Sequence, residues 1–167
     1  LSSGRLTMGI GERPALLYTT PLLGKLIQLD QKEQLGRSIL DLGSAGSELL
    51  RNLPLMANHV IVGVDFALPR NVIGLTAPAP ILLVKGDVEE LEKILSFWIV
   101  KTFMTTIGGQ REVMFDSIVI SDLLNFADRH KVIPPALKFL RPGGLLIVSN
   151  MAGVGADEDF FVPEGIH

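Results

Sequence analysis

Three aspartates stand where the chain leaves three apolar runs. Asp41 lies in Ile39-Leu40-Asp41-Leu42-Gly43-Ser44-Ala45-Gly46-Ser47, Asp65 closes Ile61-Val62-Gly63-Val64-Asp65, and Asp87 follows Ile81-Leu82-Leu83-Val84-Lys85-Gly86. Carboxylates are seldom buried unpaired, so three of them at successive strand ends are not explained by packing. The two oxygens of one carboxylate can accept both hydroxyls of a ribose. Around Asp41 the small residues let the backbone pass close to a ligand, and Ser47 suits the N-cap of a following helix. Such a helix start would turn its unpaired N–H groups toward a carboxylate or phosphate. Taken singly, the first segment also reads as an ordinary tight turn, and Asp65 as a surface residue opening a turn. Taken together, the three point to a nucleoside site.

The elements that must position these residues are strands alternating with helices. Candidate strands fall at Ser38–Leu42, 59–65, Ile81–Lys85, 117–121 and 145–149. Several are apolar on consecutive positions, as expected of a parallel sheet covered on both faces. Thr20-Pro21 reads as an N-cap and first-turn proline, and Leu22, Leu23, Leu26 and Ile27 continue a helix over 21–29. Leu91, Ile94, Leu95, Trp98, Ile99 and Phe103 predict one amphipathic helix over 89–105, with Trp98 and Phe103 in the core. Val132, Ile133, Ala136, Leu137 and Leu140 have helical spacing, but Pro134-Pro135 starts or bends that helix. The link 67–80 carries Pro69, Pro78 and Pro80 and reads as a loop with at most a short helix. The pattern is that of a doubly wound, mostly parallel α/β sheet. The expected organisation is an N-terminal arm and helix at 1–37, the α/β core at 38–150 and a C-terminal loop segment at 151–167.

Composition narrows the function classes. With 47% hydrophobic and 20% charged residues over 167 positions, the chain can build one packed core. Mean hydropathy is +0.39, yet the apolar runs are strand-length and far short of the ~20 residues that cross a bilayer. A net charge of −3 leaves no footprint for gripping a phosphate backbone. Cys is absent, which excludes disulfides, thiolate metal sites and Cys nucleophiles, and no metal site is expected. No basic-then-apolar leader opens the sequence, so a cytoplasmic protein is expected.

The segments ILDLGSAGSELL, VIVGVDFA, LLVKGDVEELE, FDSIVISDLLNF and LRPGGLLIVSN occur in this order. In order and spacing the chain resembles the class I S-adenosylmethionine (SAM)-dependent methyltransferases over residues 38–150. The resemblance implies a Rossmann-like methyltransferase core with SAM as cofactor. It places Asp41, Gly43 and Ser44 along the methionine portion, Asp65 on the ribose hydroxyls and Phe66 over the adenine. Asp87 would accept from the adenine amino group, the Val88 N–H would donate to a ring nitrogen, and Ser121 with Asp122 would border the sulfonium and the acceptor. The LRPGG segment (140–144) is structural in this family. Two departures stand out. Ala45 and Ser47 replace glycines of the first motif, and the family fold has two more strands after the fifth, the last antiparallel, whereas only residues 151–167 follow.

Methyl transfer from a sulfonium is an in-line displacement, to which proximity and alignment contribute on the order of 7–11 kcal/mol. A general base is needed only if the acceptor must lose a proton early. Asp122, Asp128 and His130 are placed for that role, although Asp128 also suits a helix N-cap and His130 a solvated helix position. Ser121-Asp122-Leu123-Leu124 is not the Asn/Asp-Pro-Pro-aromatic pattern of enzymes acting on nucleic-acid amines, and no Cys is present for attack on pyrimidine C5. A small-molecule acceptor is therefore favoured over nucleic acid, and no membrane partner is expected. Two other readings remain. An acidic residue after the second strand also suits the ribose of a nicotinamide-dependent oxidoreductase, though G-x-G-x-x-G is missing. A methyltransferase-like domain that binds without catalysing is the other.

Acceptor choice should come from material outside the common core, here 1–29 with 151–167. Met8, Tyr18, Phe160 and Phe161 would line that site or seal the ends of the core, and Gly153 and Gly155 would let the second segment move as a lid. Removing residues 1–13 should leave SAM affinity unchanged and lower methyl transfer. Unaltered turnover with intact SAM binding would remove the arm from the acceptor site.

Overall fold

The computed structural model describes residues 20–43, 47, 50–75, 79–121, 127–150 and 157–161. Helix α1 (Thr20–Gln31) precedes strand β1 (Ser38–Leu42). Two single 3-10 turns, Leu50–Asn52 and Met56–Asn58, lead to β2 (Val60–Asp65), β3 (Val72–Gly74) and β4 (Ile81–Lys85). A 3-10 turn at Val88–Glu90, helices α2 (Leu91–Leu95) and α3 (Trp98–Thr102) and a π-helical turn (Phe103–Ile107) follow. Then come β5 (Phe115–Ser121), α4 (Arg129–Leu137), β6 (Leu140–Asn150) and β7 (Asp157–Phe161).

The seven strands form one sheet in the order β3-β4-β2-β1-β5-β6-β7. β4, β2, β1, β5 and β6 are parallel, and β3 and β7 run antiparallel at the two edges. The chain winds outward from β1 in both directions, so strand order reverses beside β1. Side chains alternate across a strand, and the two faces accordingly bury two different sets. Ile39, Ile61, Ile81, Leu83, Val119 and Ile147 pack under Leu22 and Leu26 of α1. Leu40, Val62, Val64, Leu82, Ile118 and Ile120 pack under Leu91, Ile94, Val100, Phe103, Val132 and Ala136. Coverage on both faces is why the central strands are apolar without alternation.

Three local features differ from the sequence expectation, and at α4 the structure decides between two alternatives, the helix running through the prolines instead of starting at them. The 67–80 link, read as a loop, contains β3. Val72 and Ile73 are β-branched and favour extended backbone, and three residues fit between the flanking prolines. The helix predicted over 89–105 is broken at Phe97, whose φ of −61° and ψ of 143° are extended. That break changes the helical phase, so Phe103 is buried as expected while Trp98 is 77% exposed and outside the core. α4 begins at Arg129 and carries Pro134 and Pro135 in its interior. The segment 151–167, read as loop, contains β7, paired antiparallel with β6.

At the N-terminal edge of the sheet, partly buried polar groups hold the strands in place. Asp116 Oδ2 accepts from the N–H groups of Arg37 and Ser38 at 2.8 and 3.0 Å, and Asp116 Oδ1 lies 3.3 Å from Arg141 Nε. Arg141 also donates to Gln110 Oε1. The β5–β6 register shifts here, with Phe115 opposite Leu140 but Ser117 opposite Leu145, so LRPGG forms a bulge around Asp116. A Cβ on Gly144 would lie 2.7 Å from the Asp116 carbonyl oxygen, so only glycine fits.

A second clamp joins α1 to the start of β2. Asp30 Oδ1 lies 2.6 Å from His59 Nε2, Asp30 Oδ2 accepts from the Leu55 N–H at 2.7 Å, and both side chains are buried. His59→Ala would leave the Asp30 carboxylate buried with its imidazole partner gone. The expected cost is about 3–5 kcal/mol, read as a lower urea midpoint at unchanged m-value. A loss under about 1 kcal/mol would place this pair with exposed ion pairs instead.

Candidate functional site

The parallel strands all end at one edge, and open parallel sheets bind ligands there, beside the reversal of strand order. Strand parity puts Asp41, Gly63, Asp65, Lys85 and Ser121 on the α1 face, in line with Ile39, Ile61, Ile81 and Val119. Asp41 is registered against Gly63 and Val119 and is buried. Ser121 ends β5 one position beyond the residue paired with Leu42, so it borders the turn at Gly43. Gly43 leaves the strand with φ of 78° and donates its N–H to the Val64 carbonyl at 2.9 Å.

Asp65 ends β2 with 9% of its surface exposed. Its Oδ1 accepts from the Ala67 N–H at 2.8 Å, closing an Asx turn that fixes the carboxylate against its own backbone. Phe66 sits at the apex of that turn with 69% of its surface exposed. Asp87 is exposed and caps the 3-10 turn at Val88–Glu90, its Oδ1 accepting from the Glu89 N–H at 2.9 Å. Val88 is the first residue of that turn, where the backbone N–H has no partner within the helix. The structure thus brings Asp65, Phe66, Asp87 and Val88 to adjacent strand ends, beside Asp41, Gly43 and Ser121. Ser44 and Asp122 lie outside the described residues.

After β5 the capping reading of Asp128 is the one observed. Its Oδ1 accepts from the His130 N–H at 2.9 Å and its N–H donates to Glu89 Oε2 at 2.9 Å. His130 is exposed on the first turn of α4. Among the described residues no group of three or more His, Asp or Glu side chains is placed to hold a metal ion, and no helix is long and apolar enough to cross a membrane.

Two residues were missed or misread from sequence. Lys85 sits directly opposite Asp65 in the β2–β4 register. A cation closing a strand of four buried apolar residues was the available signal. Ser47 does not cap a helix through its side chain. Its carbonyl accepts from the Arg51 N–H at 3.3 Å, and its fully buried hydroxyl has no hydrogen-bond partner among the described residues. Its φ is 56°, and its Oγ lies 2.8 Å from where a Cβ on Gly63 would stand, so glycine at 63 makes room for it.

No family profile matches the chain, and no curated protein matches it. Solved structures do. A protein from Streptococcus mutans assigned to the SAM-dependent methyltransferases shares 19% identity at a TM-score of 0.50, covering 79% of this chain and 34% of that one. The N-methyltransferase NodS from Bradyrhizobium japonicum WM9 shares 15% at 0.49, covering 83% of this chain and 71% of that one. The mycinamycin-pathway methyltransferase MycE, solved with Mg and SAH (S-adenosylhomocysteine), shares 17% at 0.44, covering 86% of this chain and 36% of that one. The fold is that of the class I SAM-dependent methyltransferases. The chain spans about a third of the length of two of these neighbours, MycE and the S. mutans protein.

Ser47 combines a left-handed backbone, costing of order 1–3 kcal/mol in a non-glycine residue, with a buried hydroxyl unpaired among the described residues. Ser47→Gly should therefore stabilise the unliganded protein by about 1 kcal/mol after the entropy glycine adds to the unfolded chain. Thermal unfolding measures it. A lower Tm in Ser47→Gly would show that the hydroxyl has a stabilising partner.

Proposed function

We propose that this edge binds SAM and that the chain is a SAM-dependent methyltransferase acting on a small molecule. The observation that carries the reading is the Asx turn at the end of β2, which presents a nearly buried carboxylate and an exposed aromatic ring side by side. A carboxylate for two hydroxyls and a ring for an adenine face are the complement of an adenosine. The turn after β4 adds an acceptor in Asp87 and a backbone donor at Val88. The residues present therefore fit the nucleoside half of the cofactor. On the amino-acid side, the small residues at 43–46 suit a close approach of backbone, while Ser47 replaces a glycine of the family's motif.

When bound, SAM supplies an electrophilic methyl group on its sulfonium. This chain's residues bind and align. Asp65 accepts the ribose hydroxyls, and its bond from Ala67 holds the carboxylate in place beforehand. Phe66 covers the adenine and shields it from water. Gly43, with Asp41 and Ser44, lies along the methionine portion, and Ser121 borders the reacting centre. Alignment of this kind contributes on the order of 7–11 kcal/mol. Asp122 and His130 are the candidates to take a proton if the acceptor must lose one. The net charge of −3 and the absence of the Asn/Asp-Pro-Pro-aromatic pattern favour a small-molecule acceptor over nucleic acid.

Asp65→Asn keeps an oxygen for the Ala67 N–H and removes the charge. It should weaken SAH binding roughly ten- to a hundredfold, since hydrogen bonds to a charged group are worth ~1.5–3 kcal/mol. Tm should stay nearly unchanged. Calorimetry with SAH and with NADH reads both arms. Equal SAH affinity in parent and variant would remove Asp65 from the ribose site, and binding of NADH alone would replace this reading with an oxidoreductase.

A further inference from the structure

Lys85 ends β4 after four buried residues and is itself exposed. Its ammonium donates to the Phe66 carbonyl at 2.8 Å and to the Leu68 carbonyl at 2.7 Å. Its backbone N–H donates to Asn71 Oδ1 at 2.8 Å. The same short segment is closed from within. The Asp65 carbonyl accepts from the Leu68 N–H at 3.4 Å and the Gly86 N–H at 3.3 Å, and Asp65 Oδ1 accepts from Ala67. Leu68 is buried in the α1-side core, whereas Phe66, two residues earlier, is turned out to solvent. Lys85 thus grips the carbonyls on both sides of Ala67, joining the anchored end of the turn to its exposed end.

Fixing a four-carbon side chain costs rotamer entropy, and an exposed lysine has water as an alternative partner. Two short charge-assisted bonds to the carbonyls on either side of Ala67 offset that cost and stiffen the turn. We propose that Lys85 is a positioning residue for the nucleoside half of the site. Its ammonium holds turn 65–68 in the shape that presents the Asp65 carboxylate and the Phe66 ring together. The assignment rests on the SAM reading above and names a residue to which the family resemblance gives no role. Without the ammonium, Phe66 would be free to leave the adenine face, and binding would have to order the turn at the ligand's expense.

Lys85→Met keeps length and apolar stem and removes every donor, while Lys85→Arg keeps the charge and donors. Calorimetry would use SAH and 5′-methylthioadenosine, which lacks the amino-acid portion. Lys85→Met should bind both about three- to tenfold more weakly, in line with the cost of ordering one or two side chains at an interface. Lys85→Arg should recover part of the loss. In unliganded Lys85→Met the Ala67 amide should exchange with solvent faster, while amides of β2 and β4 exchange as in the parent.

If the parent binds both ligands and Lys85→Met binds them equally well, this assignment fails and the SAM reading stands. A loss confined to SAH would place the effect at the amino-acid end and also overturn it. Faster exchange throughout β2 and β4 would make Lys85 a residue of general stability, contrary to the proposal. If the parent binds neither ligand, the SAM reading fails and this assignment with it.

Discussion

Parallel pairing from β4 through β6, covered on both faces, constrains everything else in this chain. Each central strand must be apolar along its length, since either orientation of a side chain meets a packed layer. Polar chemistry is thereby pushed to the strand ends, and parallel strands put all like ends on one edge. Asp65, Lys85 and Ser121 are last residues of their strands, and Asp41 is the next to last of β1. Asp41 is the most deeply buried of the four and is registered against Gly63.

The two edges divide the work differently. At the N-terminal edge, Asp116 is matched by two backbone donors and Arg141, and Asp30 by His59 and Leu55. Those groups close the sheet and hold α1 against it. Each edge keeps one buried polar atom without a partner among the described residues, His59 Nδ1 at the N-terminal edge and Ser47 Oγ at the C-terminal one. At the C-terminal edge Ser47 also keeps a left-handed backbone, and Phe66 presents its ring to water. Strain and exposed aromatic surface of this kind gather where a ligand completes the site. Between them, Lys85 and the Asx turn at Asp65 keep the exposed side chains from drifting.

Much of the fold was legible because burial on both faces leaves a simple mark in sequence. The five parallel strands were found from apolar runs, with ends differing by at most five residues. β1 and β4 coincide with expectation, whereas β6 starts five residues earlier because LRPGG is a bulge inside the strand, shaped by Asp116. β3 was not legible, since three exposed residues carry no periodic signal. The break at Phe97 was hidden because the apolar spacing continues through it, and Trp98 went to the wrong side for that reason. Asp65 and Asp87 could be read from strand ends, whereas Phe66 and Val88 came only with the family resemblance. Lys85 was marked only as a cation closing a buried strand, since its role depends on register with β2 and on the path of a loop whose shape no local pattern encodes. The acceptor side was legible only as the segments left over from the core.

The central claim is that the nucleoside of SAM occupies the ends of β1, β2 and β4. Titrating SAH into uniformly 15N-labelled protein and following amide shifts tests it most directly. The account predicts saturable changes at Gly43, at Asp65 through Ala67 and at Val88, with the amides around Asp116 and His59 at the opposite edge unmoved. Shifts confined to that opposite edge, or changes at Asp65 and Val88 with NADH and none with SAH, would contradict it.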